Sequence, residues 1–390
     1  MSRLGLSSCP RLIVLALLPF LAGSSAYCVS LYKSYRARVL RKHLRDKLPN
    51  SIWTWRLPPP PLEDEDLWQA LVELFHEVDL VPWVHMYSTE IASPSPNKII
   101  SPNGYSYVHP IRGFESCGPG VASWLGVFAY MNPLSRAAQT RNGQPVVVRV
   151  MAIRDEGHDY LSIIRKTSTG PLALLSNNHC LPLFWEFALE DIVFGVFPKT
   201  GGCVDESWDC WPKNSVGDIL DMMLQILEGV AFLHELNICH RDLFSTNFLV
   251  DWQPESLLSM EVAVSKPRVY IIDFEFAIEF SPNCPVEDRV CTGYPLARWY
   301  PQEEYLRPYP DELDEDKPWC PFKLDLWQLA YTFTHRIEMG IPDINKLFLA
   351  MESGEPTARP TAPEAFARLR QIVNCIPPES LLVPPICVRG

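Results

Sequence analysis

A carboxylate and a carboxamide stand five positions apart, Asp242 and Asn247, in the run His240-Arg241-Asp242-Leu243-Phe244-Ser245-Thr246-Asn247. In-line phosphoryl transfer needs one group to orient the attacking hydroxyl or take its proton, and another to hold a magnesium ion on the phosphates. Asp242 and Asn247 suit those two tasks. A motif this short is a hypothesis until its surroundings agree. The question is therefore which elements would carry these two side chains to one place.

Upstream, Ile219, Met222, Met223, Ile226, Leu227, Val230 and Leu233 recur at three- and four-residue steps, which predicts a helix over Ser215 to Leu236. Ser215 and Asp218 are spaced as a capping box at its start. Downstream, the β-branched and aromatic run Val269-Tyr270-Ile271-Ile272 predicts a buried strand that delivers Asp273-Phe274-Glu275. Three more stretches follow in order: Cys291-Thr292-Gly293 through Tyr300-Pro301-Gln302-Glu303, then Lys323 to Ala330 with Asp325, then Arg359-Pro360-Thr361.

Taken together, from Ser215 to Leu369, these elements resemble the eukaryotic protein-kinase fold, and within it fungal protein-kinase-like proteins. The resemblance implies an α+β, bilobal architecture with a small β-rich N-lobe and a larger α-helical C-lobe. It implies that Asp242 orients or deprotonates an acceptor hydroxyl, and that Asn247 and Asp273 hold magnesium on ATP. It further implies structural roles for His240 and Arg241 in the catalytic loop. Arg241 steadies the activation segment if Thr292 or another hydroxyl there carries a phosphate. Asp325 holds the loop backbone, and Glu303 pairs with Arg359. Trp252 to Lys266 is expected to form a surface excursion.

The N-terminal half departs further from the family. Val146 to Val150 predicts a buried strand, and Arg149 stands where the resemblance places a phosphate-binding lysine. Arginine keeps the charge but not the shape. Glu156 and Asp159 are the candidate partners for it on the following helix. No Gly-x-Gly-x-x-Gly run precedes the strand; Asn103-Gly104 is a hairpin-type turn far upstream, ahead of an apparent insertion over Gly113 to Gly143. Ile192 to Pro198 is expected to be the strand entering the interlobe hinge. Glu275 replaces the glycine of the family's Asp-Phe-Gly and adds a carboxylate that is repulsive unless a metal compensates it. Phe244 stands where serine/threonine kinases carry a lysine. The resemblance implies Mg-ATP-dependent phosphoryl transfer to a protein, at Ser/Thr rather than Tyr, and these departures make it an unusual protein kinase. The alternatives are a nucleotide-binding or scaffolding pseudokinase and a small-molecule kinase.

The chain has 390 residues and is 47% hydrophobic, enough for a two-lobed domain with an N-terminal extension. A net charge of −12 argues against a general nucleic-acid binder, which needs clustered cations. The acidic run 311–316 reads as a solvated loop. Twelve scattered cysteines form no Cys-x-x-Cys, and no structural metal is expected. Cys203/Cys210 and Cys284/Cys291 read as reduced thiols rather than bridges.

Leu12 to Leu31 is mostly apolar, uncharged and about long enough to span a bilayer. Lys33, Arg36, Arg38, Arg41, Lys42, Arg45 and Lys47 follow it, so the positive-inside rule puts the body in the cytosol. Ser24-Ser25-Ala26 also fits a cleaved signal peptide and entry into the secretory pathway; the anchor is the reading adopted. The expected organisation is a short segment at 1–11, a transmembrane signal anchor at 12–32, and a basic, Pro-rich juxtamembrane linker at 33–61. An N-terminal helix and N-lobe with an insertion occupy 62–200, the C-lobe 201–376 and a tail 377–390, frayed from Val383 to Gly390. Glu63 to Leu80 is expected to be one amphipathic helix packed on the N-lobe.

Overall fold

A computed structural model describes residues 38–57, 64–87, 90–94, 127–130, 132–208, 213–252, 256, 260–314 and 317–387. The chain divides into two units, Met1–Pro49 and Asn50–Gly390. In the first, a helical stretch at 38–45 ends where the Arg45 guanidinium donates to the Leu48 and Pro49 carbonyls, each at 3.2 Å. The expected anchor at 12–32, the Asn103-Gly104 turn and Pro58 to Pro61 lie outside the described residues. Among the described residues no helix is long and apolar enough to cross a membrane.

The second unit opens with a short helix, α1 (Ile52–Arg56), whose start is fixed by a capping box between Ser51 and Thr54. Trp55 is fully buried, its ring 5.8 Å from Trp68 and 6.1 Å from Phe194. This part of the segment read as linker therefore packs into the body. Next come α2 (Asp64–Ala70) and α3 (Val72–Glu77) in place of the single helix expected over Glu63 to Leu80. The apolar stripe is as read, with Leu67, Leu71, Leu74 and Phe75 buried. The helix breaks at Leu71, and its expected last residue begins β1 (Leu80–Pro82). Burying Leu80 in a sheet satisfies its backbone as well as its side chain, and that outweighs one more helical turn.

From β1 the chain leaves the sheet at Trp83. On this excursion β2 (Val84–Tyr87), β3 (Glu90–Ala92) and β4 (Val127–Ala129) form a separate antiparallel sheet. It then returns as β5 (Ser135–Thr140) and turns at Gly143 into β6 (Pro145–Ile153). So the insertion expected over Gly113 to Gly143 ends earlier, because 135–140 is a sheet strand paired with β6. Its sequence, Ser-Arg-Ala-Ala-Gln-Thr, lacks the β-branched signature that marks Val146 to Val150.

Helix α4 (His158–Thr167) crosses behind, followed by β7 (Trp185–Leu189) and β8 (Ile192–Pro198). The main sheet is antiparallel with order β1-β5-β6-β8-β7. On β6, Val146, Val148 and Val150 face the core while Arg149 points to the opposite side.

The remainder is mainly helical. After α5 (Val204–Trp208), the long α6 (Val216–Glu235) is capped by Ser215 and Asp218 as its sequence implies. Its buried face carries the largest cluster of apolar side chains. Each fully buried aliphatic contributes roughly 1.5–3 kcal/mol there. Gly229 lets α6 approach His179 and Ile271 closely: a Cβ would lie 2.7 Å from the His179 Cβ and 2.9 Å from Ile271.

Two hairpin-like pairs follow: β9 (Ile238–Cys239) with β12 (Ile278–Glu279), and β10 (Phe248–Asp251) with β11 (Arg268–Ile271). Between β10 and β11, in the expected excursion, Trp252 and Ser256 are buried. Helices α7 (Pro321–Thr334), α8 (Pro342–Met351) and α9 (Ala362–Asn374) complete the core. The tail is not wholly frayed: β14 (Ile386–Cys387) pairs with β13 (Ile337–Glu338), and Val216 donates to the Val383 carbonyl.

Candidate functional site

One face of α7 holds the loop that follows β9. Asp325 accepts from the backbone N–H of His240 at 2.9 Å and of Arg241 at 2.7 Å. One turn on, Gln328 accepts from the Leu243 N–H at 3.0 Å and donates to the Arg241 carbonyl at 2.9 Å. Thr332 donates to the Leu243 carbonyl at 3.4 Å. Residues at i, i+3 and i+7 share a helix face, so a straight rail of polar groups satisfies a buried loop. The arrangement also tolerates Arg241 at φ 67. Although His234, Cys239 and Asp325 present ligand-type atoms within 4.8 Å, both Asp325 oxygens are engaged by N–H donors, His234 included at 2.9 Å.

On this loop Asn247 commits Nδ2 to Asp242, donating to its carbonyl and to Oδ2, each at 2.7 Å. That leaves the Asn247 Oδ1 as the atom able to bind a cation. Arg307 grips the same Asp242 carboxylate with two bonds, Nε to Oδ1 at 3.0 Å and Nη2 to Oδ2 at 3.1 Å. The His240 ring bridges to the neighbouring strand end, its Nε2–H donating to the Ile272 carbonyl at 2.9 Å while Nδ1 accepts from the Asp242 N–H at 3.3 Å. It packs 4.7 Å from the Phe274 ring.

The β10–β11 pairing brings the second carboxylate alongside. Phe248 pairs with Ile271, and the Ile272 N–H donates to the Asn247 carbonyl at 3.0 Å, so Asn247 and Asp273 leave the hairpin side by side. Asp273 adopts φ 66 and receives Arg149 Nη2 on Oδ1 at 2.6 Å. Glu275 receives Arg56 from α1 and lies 3.5 Å from Arg149.

Two carboxylates and two guanidiniums thus form one partly buried cluster. Burial opposes the ionised Asp273, but Arg149 and Arg56 more than offset this and hold its carboxyl below the usual range. Burial and then the Asp273 charge push Glu275 up to about 6. Burial works against the charge of Arg149, and Asp273 more than restores it. Tyr160 of α4 lies 6.0 Å from the Arg149 guanidinium, ring to cation.

Residues 201–335, which contain this loop, both hairpin pairs and α7, match the family described as Protein kinase domain. An 89-residue stretch is 37% identical to Cyclin-dependent kinase F-3 of Oryza sativa subsp. japonica, covering 23% of this chain and 16% of that protein. Residues 201–335 are thus similar to the protein kinase domain, which supports a protein-kinase-like reading of this part of the chain.

In this kinase-like protein the structure gathers Asp242, Asn247, Asp273, Arg149, His240, Arg241 and Asp325 around one region, as the hydrogen bonds above record. The oxygen donors left on Asn247 and Asp273 suit a hard divalent cation. Other expectations are corrected. Neither Glu156 nor Asp159 partners Arg149: Glu156 accepts from the Ile52 N–H at 2.6 Å, and Asp159 is exposed. The helix presents Tyr160 there instead, so the cation turns to Asp273. Arg359 pairs with Glu312, at 2.7 and 2.5 Å, and Glu303 is exposed. The acidic run is therefore more than a solvated loop. Glu275 is balanced by Arg56 and Arg149 rather than requiring a metal.

Arg241 donates to the Phe276 carbonyl at 2.6 Å and reaches Cys291 Sγ at 3.9 Å, while Thr292 is exposed. Among the described residues Cys284 and Cys291 are free thiols. Sequence reasoning missed Arg56, Arg307, Gln328 and Thr332. Gln328 and Thr332 carried a signal, since they share the helical face of Asp325; the two arginines carried none, because long-range pairing leaves no local period.

Proposed function

We propose that this chain is a protein kinase of bilobal build that transfers the γ-phosphoryl group of ATP, with magnesium, to a protein hydroxyl, serine or threonine in preference to tyrosine. The observation that carries this reading is the placement of Asn247 against Asp242 with Asp273 beside it across the β10–β11 pair. Asp242 would accept or orient the acceptor's proton, and the Asn247 amide fixes the direction of its carboxylate. A divalent ion held by Asn247 and Asp273 would neutralise charge on the phosphates. Arg149 would turn from Asp273 to the phosphates, which its planar fork can bind through two hydrogen bonds.

A specific observation favours the non-catalytic alternative: both reacting carboxylates are held in ion pairs, Asp242 by Arg307 and Asp273 by Arg149. One experiment separates the two. The full chain is melted with ATP, with and without magnesium, and then assayed for phosphate incorporation beside Asp242→Asn. Kinase function requires magnesium-dependent stabilisation by ATP and incorporation that falls by at least about a hundredfold in Asp242→Asn. Stabilisation without incorporation leaves a nucleotide-binding scaffold. Neither signal would sink both readings. Tethering through 12–32 with the kinase-like body in the cytosol belongs to the same proposal and rests on the apolar and basic segments alone. Protease protection of the C-terminus in sealed cytosol-out vesicles would refute it.

A further inference from the structure

Between Asp242 and Asn247 the loop offers Leu243, Phe244, Ser245 and Thr246, none of them charged. A cation is nevertheless present there. Arg307 lies with its guanidinium 5.0 Å from the Phe244 ring centroid, doubly bonded to Asp242, and its Nη2 reaches Thr246 Oγ1 at 3.5 Å. Its segment is held by packed tyrosines: the Tyr294 ring stacks on Tyr305 at 5.1 Å and meets Tyr309 edge-on at 5.3 Å. Those rings flank Arg307 on both sides in sequence, so the guanidinium is delivered to the loop from a fixed base. Its side chain remains 37% exposed, within reach of an incoming group.

The Arg307 guanidinium sits on both Asp242 oxygens, where the acceptor hydroxyl would have to bond. The pair and the role of Asp242 as base cannot operate at the same moment. An arriving phosphoryl group brings oxygens that bear the charge of the transition state and match the arginine fork. The Phe244 face lets the guanidinium shift while keeping its contact with the ring. We propose that Arg307 is the cation that binds the transferred phosphoryl group, parked on Asp242 until nucleotide arrives. This rests on the phosphoryl-transfer reading above. Moving Arg307 onto the phosphoryl oxygens frees Asp242 to take the acceptor's proton as the acceptor oxygen bonds to phosphorus and the bond to ADP breaks.

The test measures phosphate incorporation from labelled ATP into a histone mixture, with the full chain as wild type, Arg307→Ala, Arg307→Lys and Phe244→Lys/Arg307→Ala, each checked for an unchanged melting temperature. Loss of the cation that meets the phosphoryl oxygens should lower kcat about 10²-fold in Arg307→Ala, with the KM for histone unmoved. Arg307→Lys should fall between. Phe244→Lys/Arg307→Ala, which returns a cation beside the same ring, should recover at least about tenfold over Arg307→Ala. An Arg307→Ala rate equal to or above wild type overturns the proposal alone and makes the pair a latch or a bystander. A loss that the lysine at 244 does not rescue also overturns it, since a purely structural arginine behaves so. No incorporation by wild type removes phosphoryl transfer itself, and this proposal with it.

Discussion

Arg149 places a guanidinium nitrogen 2.6 Å from the Asp273 carboxylate, so the cation of the long central strand is held by the group proposed to bind metal. The helix behind that strand offers Tyr160 where a carboxylate was expected, and Arg56 reaches in from α1 to share the negative charge. The cluster is internally balanced before any ligand arrives, and nucleotide with its metal must compete with these pairs.

The first prediction follows from that balance. Arg149→Ala leaves the partly buried Asp273 with Arg56 as its main compensation and should cost about 2 kcal/mol, below the cost of breaking a fully buried pair. Asp273→Asn leaves Arg149 near Glu275, 3.5 Å away, and should cost less. The double variant should be more stable than the sum of the two losses by at least about 1 kcal/mol, because the pair is in direct contact. Urea midpoints of the four proteins measure this. Strict additivity would mean that solvent screens the pair.

The second concerns pH. Glu275 is pushed up to about 6 from an ordinary 4.5, by burial first and the Asp273 charge next. Between those values the folded state binds a proton more readily than the unfolded chain. Unfolding free energy of the wild type should therefore rise, relative to Glu275→Gln, as pH falls from about 7 to about 4.5, by at most about 2 kcal/mol. Asp273 acts in the opposite sense. Its lowered value stabilises the fold above the ordinary 3.8, and that contribution fades only as pH drops below it. Denaturation of both proteins at pH 7 and pH 5 checks the sign; parallel stability curves would rule out a raised Glu275.

How much of this was legible depended on the range of the interaction. Helix α6 was readable to within a residue, because its 3.6-residue period and Ser215 cap are local. Asp242, Asn247, Asp273 and Asp325 were singled out by the resemblance of their motifs, and the β10–β11 pairing and the Asp325 bonds bring their segments together. What escaped depends on contacts far apart in the chain. Arg56 meets Glu275 across 219 positions, and Ile52 meets Glu156 across 104. Strand β5 escaped for another reason. Its alanines are buried by neighbours on both sides, so pairing rather than propensity makes it a strand. The break at Leu71 likewise reflects tertiary pairing of Leu80 overriding an amphipathic period that would otherwise run on.

The last prediction sets two glutamates against each other. Family resemblance assigns Glu303 to Arg359, whereas the structure gives that arginine Glu312 with two hydrogen bonds. The Arg359 side chain is wholly buried and donates besides to the carbonyls of Ser353 at 2.8 Å and Lys323 at 3.2 Å. Carbonyls satisfy its protons but do not neutralise its charge. Glu312→Ala should therefore strand a buried cation and cost about 3–5 kcal/mol. Glu303→Ala, at an exposed position, should change stability by no more than about 0.5 kcal/mol. Glu312→Gln should fall between, since it keeps a hydrogen-bond acceptor and loses the charge. Guanidinium midpoints of the three variants order the effects. If Glu303→Ala proved the costly change and Glu312→Ala the neutral one, the 311–313 turn would not be the partner of Arg359, and the acidic run would return to the role of a solvated loop.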